Sequence, residues 1–473
     1  MTSPEHTTTV PAPPATNGAA TAPASGDREA PAQSSYASGA RILSIGIAST
    51  GIFTFLYLAL ASHALNPASY SRISLCWAIM FVILSVIYRP IEQLLSRMIA
   101  DRRARGLHGH PLRIPALIQF SFATLFLIVA LALRPQIEQG IFDGSSALYW
   151  ILVIGVLAYA ASYFARGWLA GHQRFALYGG LVFLESTSRF LFAFAVAIGI
   201  ASGQAAVGLG MAVAPFASLC VIPFAFSRLR LKAPAGVPVA DAAREGPAHA
   251  EIEEAAADLS LRRGTGFAVS VVGIMLAEQT LMNAGVLIVA ANAGSKAALT
   301  VGITGFVFNV MLIVRAPLQL FQAIQTSILP HLASLEARES AAEFHKAILT
   351  TIKAIAAFAG AVAIGLLAIG PLVMTALLGD KGFGRIGLAV VGLGMGLHLT
   401  AGTLNQAALA RGRAPLAAIA WLTSAALFVA FMLSEAISNQ VTRVEVSYFT
   451  AALILCGLLW AIYRRGSAPA SGV

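Results

Sequence analysis

Apolar stretches of spanning length recur twelve times along this chain, near residues 41–62, 72–96, 114–133, 147–168, 177–199, 205–227, 266–290, 297–320, 348–370, 386–409, 414–434 and 444–463. A helix rises about 1.5 Å per residue and the bilayer core is about 30 Å thick, so each stretch can cross once. Backbone amides in hydrocarbon must find partners within their own segment, which a helix provides. The pattern therefore predicts an all-α, polytopic membrane protein of about twelve transmembrane helices. Composition agrees: 58% of the residues are hydrophobic and 11% charged, with a mean hydropathy of +0.77. An ordinary soluble enzyme carries about 25% charged residues and is excluded.

Residues 1–40, rich in Pro, Ala, Thr and Ser and without an apolar core, read as a disordered cytoplasmic tail rather than a signal peptide. Twelve charged residues between 228 and 263 break the apolar rhythm and divide the spans six and six. The expected organisation is an N-terminal lobe at 41–227, a cytoplasmic linker at 228–263, a C-terminal lobe at 264–465 and a short cytoplasmic tail at 466–473. With the N-terminus inside, 21 of the 31 Lys and Arg fall on inner segments, six on outer segments and four within spans. Positive charge collects on cytoplasmic loops, so both termini are placed in the cytoplasm and the net charge of +10 needs no nucleic acid. Cys76, Cys220 and Cys456 lie in apolar stretches at no metal-binding spacing and read as small core residues.

The two halves echo one another. Tyr88-Arg89-Pro90-Ile91-Glu92-Gln93 in the second span has a counterpart in Val314-Arg315-Ala316-Pro317-Leu318-Gln319 of the eighth. Gly171-His172-Gln173-Arg174 after span four is echoed by Arg411-Gly412-Arg413 after span ten. Six spans separate equivalents, so the repeats share topology and imply a pseudo-two-fold axis along the membrane normal.

Between the first two spans the chain reads Leu65-Asn66-Pro67-Ala68-Ser69-Tyr70-Ser71. This resembles the Leu-Gly-Pro-x-x-Tyr-Gly turn of the Wzx-like polysaccharide-biosynthesis flippases, within the multidrug/oligosaccharidyl-lipid/polysaccharide exporter superfamily. Asn66 and Ser71 stand where that turn has glycine. A second similar stretch runs from Arg166-Gly167-Trp168 to Arg174-Phe175-Ala176-Leu177-Tyr178. The resemblance implies two six-helix lobes that move a lipid-linked oligosaccharide from the cytoplasmic to the outer leaflet of a bacterial-type plasma membrane. It carries no catalytic signature and no cofactor.

Six of the charges inside expected spans fall deep enough to matter for a site: Arg89, Glu92, Glu185, Arg189, Glu278 and Arg315. Exposed to lipid they would cost on the order of 15 to 20 kcal/mol together, so they must face protein or water. Arg89 with Glu92 and Glu185 with Arg189 are spaced to neutralise within one helix. Glu278 lies about 20 Å into span seven, near the midplane, with Asn283 beyond it. It has no local partner, and a pair with Arg315 across the hairpin is the structural alternative to a functional role.

Under the functional reading, Arg89 and Arg315 grip phosphate oxygens through their planar guanidinium groups. Glu92, Arg189, Gln93 and Gln319 complete the substrate-binding set, with Gln279 and Gln322 as further hydrogen-bonding groups. Glu278 and Asn283 couple transport to H+ or Na+. A diphosphate of about two negative charges leaving an inside-negative cell gains roughly 4 to 5 kcal/mol per 100 mV. Consistently, no nucleotide-binding loop is present, and Gly392, Gly394 and Gly396 read as helix-packing glycines. His108 and His110 read as loop residues, His398 as a satisfied core histidine and Lys353 as a snorkelling lysine.

Outer segments of about a dozen residues, near 134–146 and 371–385, are too short for a catalytic domain, so no enzyme is expected. The expected partners are the lipid-linked oligosaccharide, membrane lipids and envelope-synthesis proteins. A multidrug cation exporter of the same superfamily and a transport-dead membrane scaffold are the competing readings.

Overall fold

The structure is a computed structural model, and it describes residues 46, 49–104, 112–223, 247–293, 302–315, 317–318, 341–379, 382–434 and 436–465. Within these, twelve long helices follow one another: α1 (49–64), α2 (Pro67–Ala104), α3 (Arg113–Ala132), α4 (Ser146–Gly171), α5 (Phe175–Ala197), α6 (Gly203–Leu219), α7 (Pro247–Ala293), α8 (Gly302–Arg315), α9 (Ala341–Leu378), α10 (Arg385–Ala410), α11 (Ala414–Leu433) and α12 (Gln440–Arg465). A π-helical turn, Gln136–Ile141, follows α3. Nine of the described helices are long and apolar enough to cross a membrane, and α6 and α8 are shorter apolar helices. The protein is thus an all-helical, multi-pass membrane protein.

The helix starts follow from local chemistry. Asn66, the residue that replaces glycine in the first turn, accepts the Ser69 amide at 2.8 Å and caps α2, with Pro67 in the first helical position. Ser145 caps α4, and Asn439 accepts the Val441 and Thr442 amides at the start of α12.

The expected repeat appears in both turn geometry and helix pairing. After α4, Gln173 takes a left-handed backbone (φ 56°), and after α10 Gly412 does the same (φ 69°). Behind each, the next amide bonds five residues back: Arg174 to the Leu169 carbonyl and Arg413 to the Ala408 carbonyl, both at 2.8 Å. Helix pairs α3–α4, α4–α6 and α5–α6 recur as α9–α10, α10–α12 and α11–α12.

Close approaches rest on glycine. Gly394 lies against the Tyr448 ring and Gly396 against Ala359, holding α10 between α12 and α9. A β-carbon at Gly167 would stand 2.8 Å from the Glu92 carbonyl oxygen, so α4 rests directly on α2.

Several boundaries differ from the hydropathy reading. The segment 247–263, expected as linker, is helical and continuous with the seventh span, because its Ala, Glu and Leu are good helix formers. Helix α9 continues through Pro371 to Leu378, into the stretch expected as an outer loop. Arg443, counted on an outer segment, is buried and donates to the Ile437 and Met432 carbonyls at the end of α11. Cys220, expected in the core, is exposed, while Cys76 is buried.

Where α1 turns into α2, the two halves are joined. The Tyr70 hydroxyl donates to Asn309 Oδ1 on α8. Ser71 Oγ accepts the Gly305 amide at 3.1 Å, and a β-carbon at Gly302 would stand 3.9 Å from Pro67. Tyr70 and Arg89 are nineteen residues apart on α2, or about 28 Å along the axis, so this seam lies far from the intramembrane arginines.

Candidate functional site

Three helical stripes converge between the halves. On α2, Trp77, Phe81, Ser85, Arg89 and Glu92 recur at spacings of three and four and share one face. On α5 the stripe is Tyr178, Val182, Glu185 and Arg189. On α7 it is Glu278, Gln279, Met282 and Asn283. With Tyr163 and Arg166 of α4, Thr50 and Thr54 of α1 and Arg315 of α8, they line a cavity of about 380 Å3. Gln93 lies at its exposed rim. The cavity brings together Arg89, Glu92, Gln93, Arg189, Glu278, Asn283 and Arg315, while Gln319, Gln322, His108 and His110 lie outside the described residues.

Arg166, at the inner end of the expected span 147–168 and counted with the inner positive charges, joins this set. Helix α4 runs to Gly171, three residues past the expected end of the span, and Arg166 is buried in it, facing Glu185 of α5. Its guanidinium pairs with the Glu185 carboxylate and stacks on Tyr163 at 4.5 Å. Among the described residues the cavity lining consequently holds four guanidinium groups against three carboxylates.

The charges divide into two kinds. Glu185, 3% exposed, is the hub of a closed cluster: it accepts from Arg166 and from Ser162 Oγ at 3.2 Å, and Arg189 stands 3.8 Å away. Arg189 also donates to the Tyr159 hydroxyl at 3.2 Å and lies over the Trp77 and Phe81 rings. The expected Glu185–Arg189 pair is present, but the shorter contact belongs to Arg166.

Arg89 and Arg315 are different. The expected Arg89–Glu92 pair is not formed; the Glu92 carboxylate instead accepts the Tyr178 hydroxyl at 2.6 Å, since α5 packs closely enough to offer that donor. Arg315 bonds neutral oxygens, Asn283 Oδ1 at 2.7 Å and the Met282 carbonyl at 2.9 Å, and lies over the Phe308 ring at 4.5 Å. The alternative pair between Arg315 and Glu278 is likewise absent among the described residues. Glu278 instead lies within electrostatic reach of Arg89 across the cavity. Neither Arg89 nor Arg315 has a carboxylate within 4 Å among the described residues, and both are only partly buried.

His398 is 1% exposed, bonds the Tyr448 hydroxyl at 3.0 Å and stands apart from the cavity lining. Among the described residues no group of three or more His, Cys, Asp or Glu side chains is placed to hold a metal.

No family model matches this chain, and no curated protein does either. Solved structures do match. An inward-facing multidrug resistance MATE family transporter of the MOP superfamily superposes with a TM-score of 0.60 at 14% identity, over 91% of this chain and 99% of that one. Its outward-facing conformation gives 0.56 at 14% identity, over 91% and 95%. The Vibrio cholerae MATE transporter VcmN in its bent form gives 0.56 at 12% identity, over 92% and 98%. The chain therefore has the MATE-type transporter fold along nearly its whole length, and these neighbours are transporters.

Proposed function

We propose that this protein is a flippase of the Wzx-like kind. It carries a polyprenyl-diphosphate-linked oligosaccharide from the cytoplasmic to the outer leaflet of a bacterial-type plasma membrane, for cell-envelope polysaccharide synthesis. The two halves alternate their exposure around the cavity, driven by the membrane potential or by an H+ or Na+ gradient, and the protein is a transporter rather than an enzyme. Both termini are cytoplasmic, as the Lys and Arg count requires.

The observation that carries this reading is the pair Arg89 and Arg315, one from each half, lining one cavity with no carboxylate within 4 Å of either among the described residues, although Glu278 lies within electrostatic reach of Arg89. The Arg315 guanidinium, held by the neutral oxygens of Asn283 and Met282, keeps its full charge available to a phosphate. In this reading Arg89 and Arg315 hold the diphosphate. Glu92, Gln93 and Gln319 meet the first sugars, Arg189 adds positive potential from its closed cluster, and Glu278 with Asn283 serves ion coupling. Among the described residues the lining carries an excess of one positive charge, which disfavours the cationic cargo of the competing multidrug-exporter reading. The orientation places the α1–α2 seam outside, so the cavity of this conformation faces inward.

The test is export in cells depleted of the protein and supplied with variants. Arg315→Ala is expected to abolish export, so that mass spectrometry finds a lipid-linked glycan accumulating in the inner leaflet. Arg315→Lys restores export only in part, because the two-pronged grip is lost. Normal export by both variants removes Arg315 from the site.

A further inference from the structure

A separate cavity, of about 550 Å3, lies between the first turns of α10 and α12 and shares no lining residue with the charged one. Glu445 of α12 lines it although only 6% of that residue is exposed. Glycine at position 387 of α10 makes room, for the Glu445 carboxylate occupies the space a β-carbon would take there. Among the described residues Glu445 makes no hydrogen bond and no ion pair. The nearest cation on its own helix, Arg443, is committed to the Ile437 and Met432 carbonyls.

Arg385, the first residue of α10, lines the same cavity from an exposed position and forms no ion pair with Glu445 within 4 Å. One cavity therefore presents two opposite charges that do not reach each other. A buried carboxylate without a partner is costly, so a ligand that brings a cation to it is favoured. A hard metal ion fits poorly: it needs about six oxygens, the only other side-chain oxygen among the described lining residues is that of Thr442, and Arg385 repels it. A simple anion meets Arg385 but is repelled by Glu445. A zwitterion answers both charges at once.

The position of the cavity says which zwitterion. Helices α10 and α12 have 26 residues each. At 1.5 Å per residue that is about 39 Å, longer than the roughly 30 Å hydrocarbon core, so their first turns reach the headgroup layer. Ile386, 75% exposed, and Val390 give the cavity an apolar flank below that level. We infer that this cavity binds the headgroup of an ethanolamine phospholipid. Its primary ammonium donates to Glu445, its phosphate accepts from Arg385, and its acyl chains run along Ile386 and Val390. A primary ammonium offers three donors to a carboxylate where a quaternary one offers none, so choline lipids are discriminated against. The site is independent of whatever cargo the charged cavity carries.

The experiment titrates the full chain in detergent with phosphatidylethanolamine, phosphatidylcholine and phosphatidylglycerol of identical acyl chains and reads bound lipid by native mass spectrometry. The parent protein is expected to hold phosphatidylethanolamine about tenfold more tightly than either of the others. Glu445→Gln, which keeps the shape and removes the charge, brings phosphatidylethanolamine to the level of phosphatidylcholine. Gly387→Ala keeps the charge but expels the carboxylate from its place, and loses the same preference. Arg385→Ala weakens phosphatidylethanolamine by a similar factor, through the phosphate. Equal binding of the three lipids by the parent overturns the proposal, as does a preference that survives both Glu445→Gln and Gly387→Ala. Soluble phosphoethanolamine serves as the competitor without acyl chains. If it binds as tightly as the lipid, the site belongs to a water-borne zwitterion and the phospholipid assignment is overturned.

Discussion

Replacing Glu185 with glutamine keeps the side-chain shape and removes the one carboxylate shared by Arg166 and Arg189. At the 3.8 Å separation from Arg189, an effective dielectric constant near 20 gives about 4 kcal/mol for that pair. Stripping the partner from a buried ion pair typically costs about 3 to 5 kcal/mol, because the remaining charge stays buried. Here two guanidinium groups would be left facing one another. Their stacking on Tyr163 and Trp77 persists, so we expect Glu185→Gln to cost about 3 kcal/mol, read as a fall of roughly 5 to 10 °C in melting temperature. The triple variant Arg166→Met, Glu185→Leu, Arg189→Met removes all three charges together. Apolar replacement of a whole buried ionic cluster is often neutral or stabilising, so stability returns while export stays deficient, the positive potential having gone. A Glu185→Gln protein melting within about 1 °C of the parent refutes the burial argument. A triple variant that exports normally refutes the contribution of this cluster to substrate binding.

Two further outcomes test other parts of the structure. Gly167→Ala places a β-carbon 2.8 Å from the Glu92 carbonyl oxygen and forces α4 off α2; overpacking of this kind costs about 1 to 3 kcal/mol and should lower both melting temperature and export. Tyr70→Phe removes the hydroxyl bonded to Asn309 and weakens the seam by about 0.5 to 1.5 kcal/mol, a shift of roughly twofold to tenfold toward the conformation open on that side. Labelling of Ser85→Cys by an impermeant maleimide added from the α1–α2 side, in a background without other cysteines, should speed up by that factor.

Helix number, order and the repeat were legible because a bilayer imposes one rule on every segment. Charge placement was legible where a charge interrupts an apolar run, as at Arg89, Glu185, Glu278 and Arg315. Arg166 escaped because it lies within six residues of the end of α4, where hydropathy cannot separate a loop arginine from one drawn inside by a carboxylate on the next helix. A second clue was available: Tyr178, Val182, Glu185 and Arg189 mark the inward face of α5, and a buried carboxylate on that face needs a cation from a neighbouring helix. Pairing within one helix was the wrong guide for Glu92, since spacing says which groups share a face and not which donor another helix will bring. The helical start of α7 was hidden by its charges, which hydropathy penalises but helix propensity does not.

The distribution of interaction strengths bears on how such a molecule can move. The charge cluster around Glu185 lies wholly within the first half, joining α4 to α5, and its buried ion pairs resist separation. The links across the α1–α2 seam are of another kind, a hydroxyl on an amide oxygen and an amide on a hydroxyl, each contributing only about 1 kcal/mol. Among the described residues the hydrogen bonds of this seam are weak and neutral where those around Glu185 are charged, so the seam is the easier of the two to open. Arg315 fits the same division, since its bonds run to Met282 and Asn283 of its own half and need not break when the halves part.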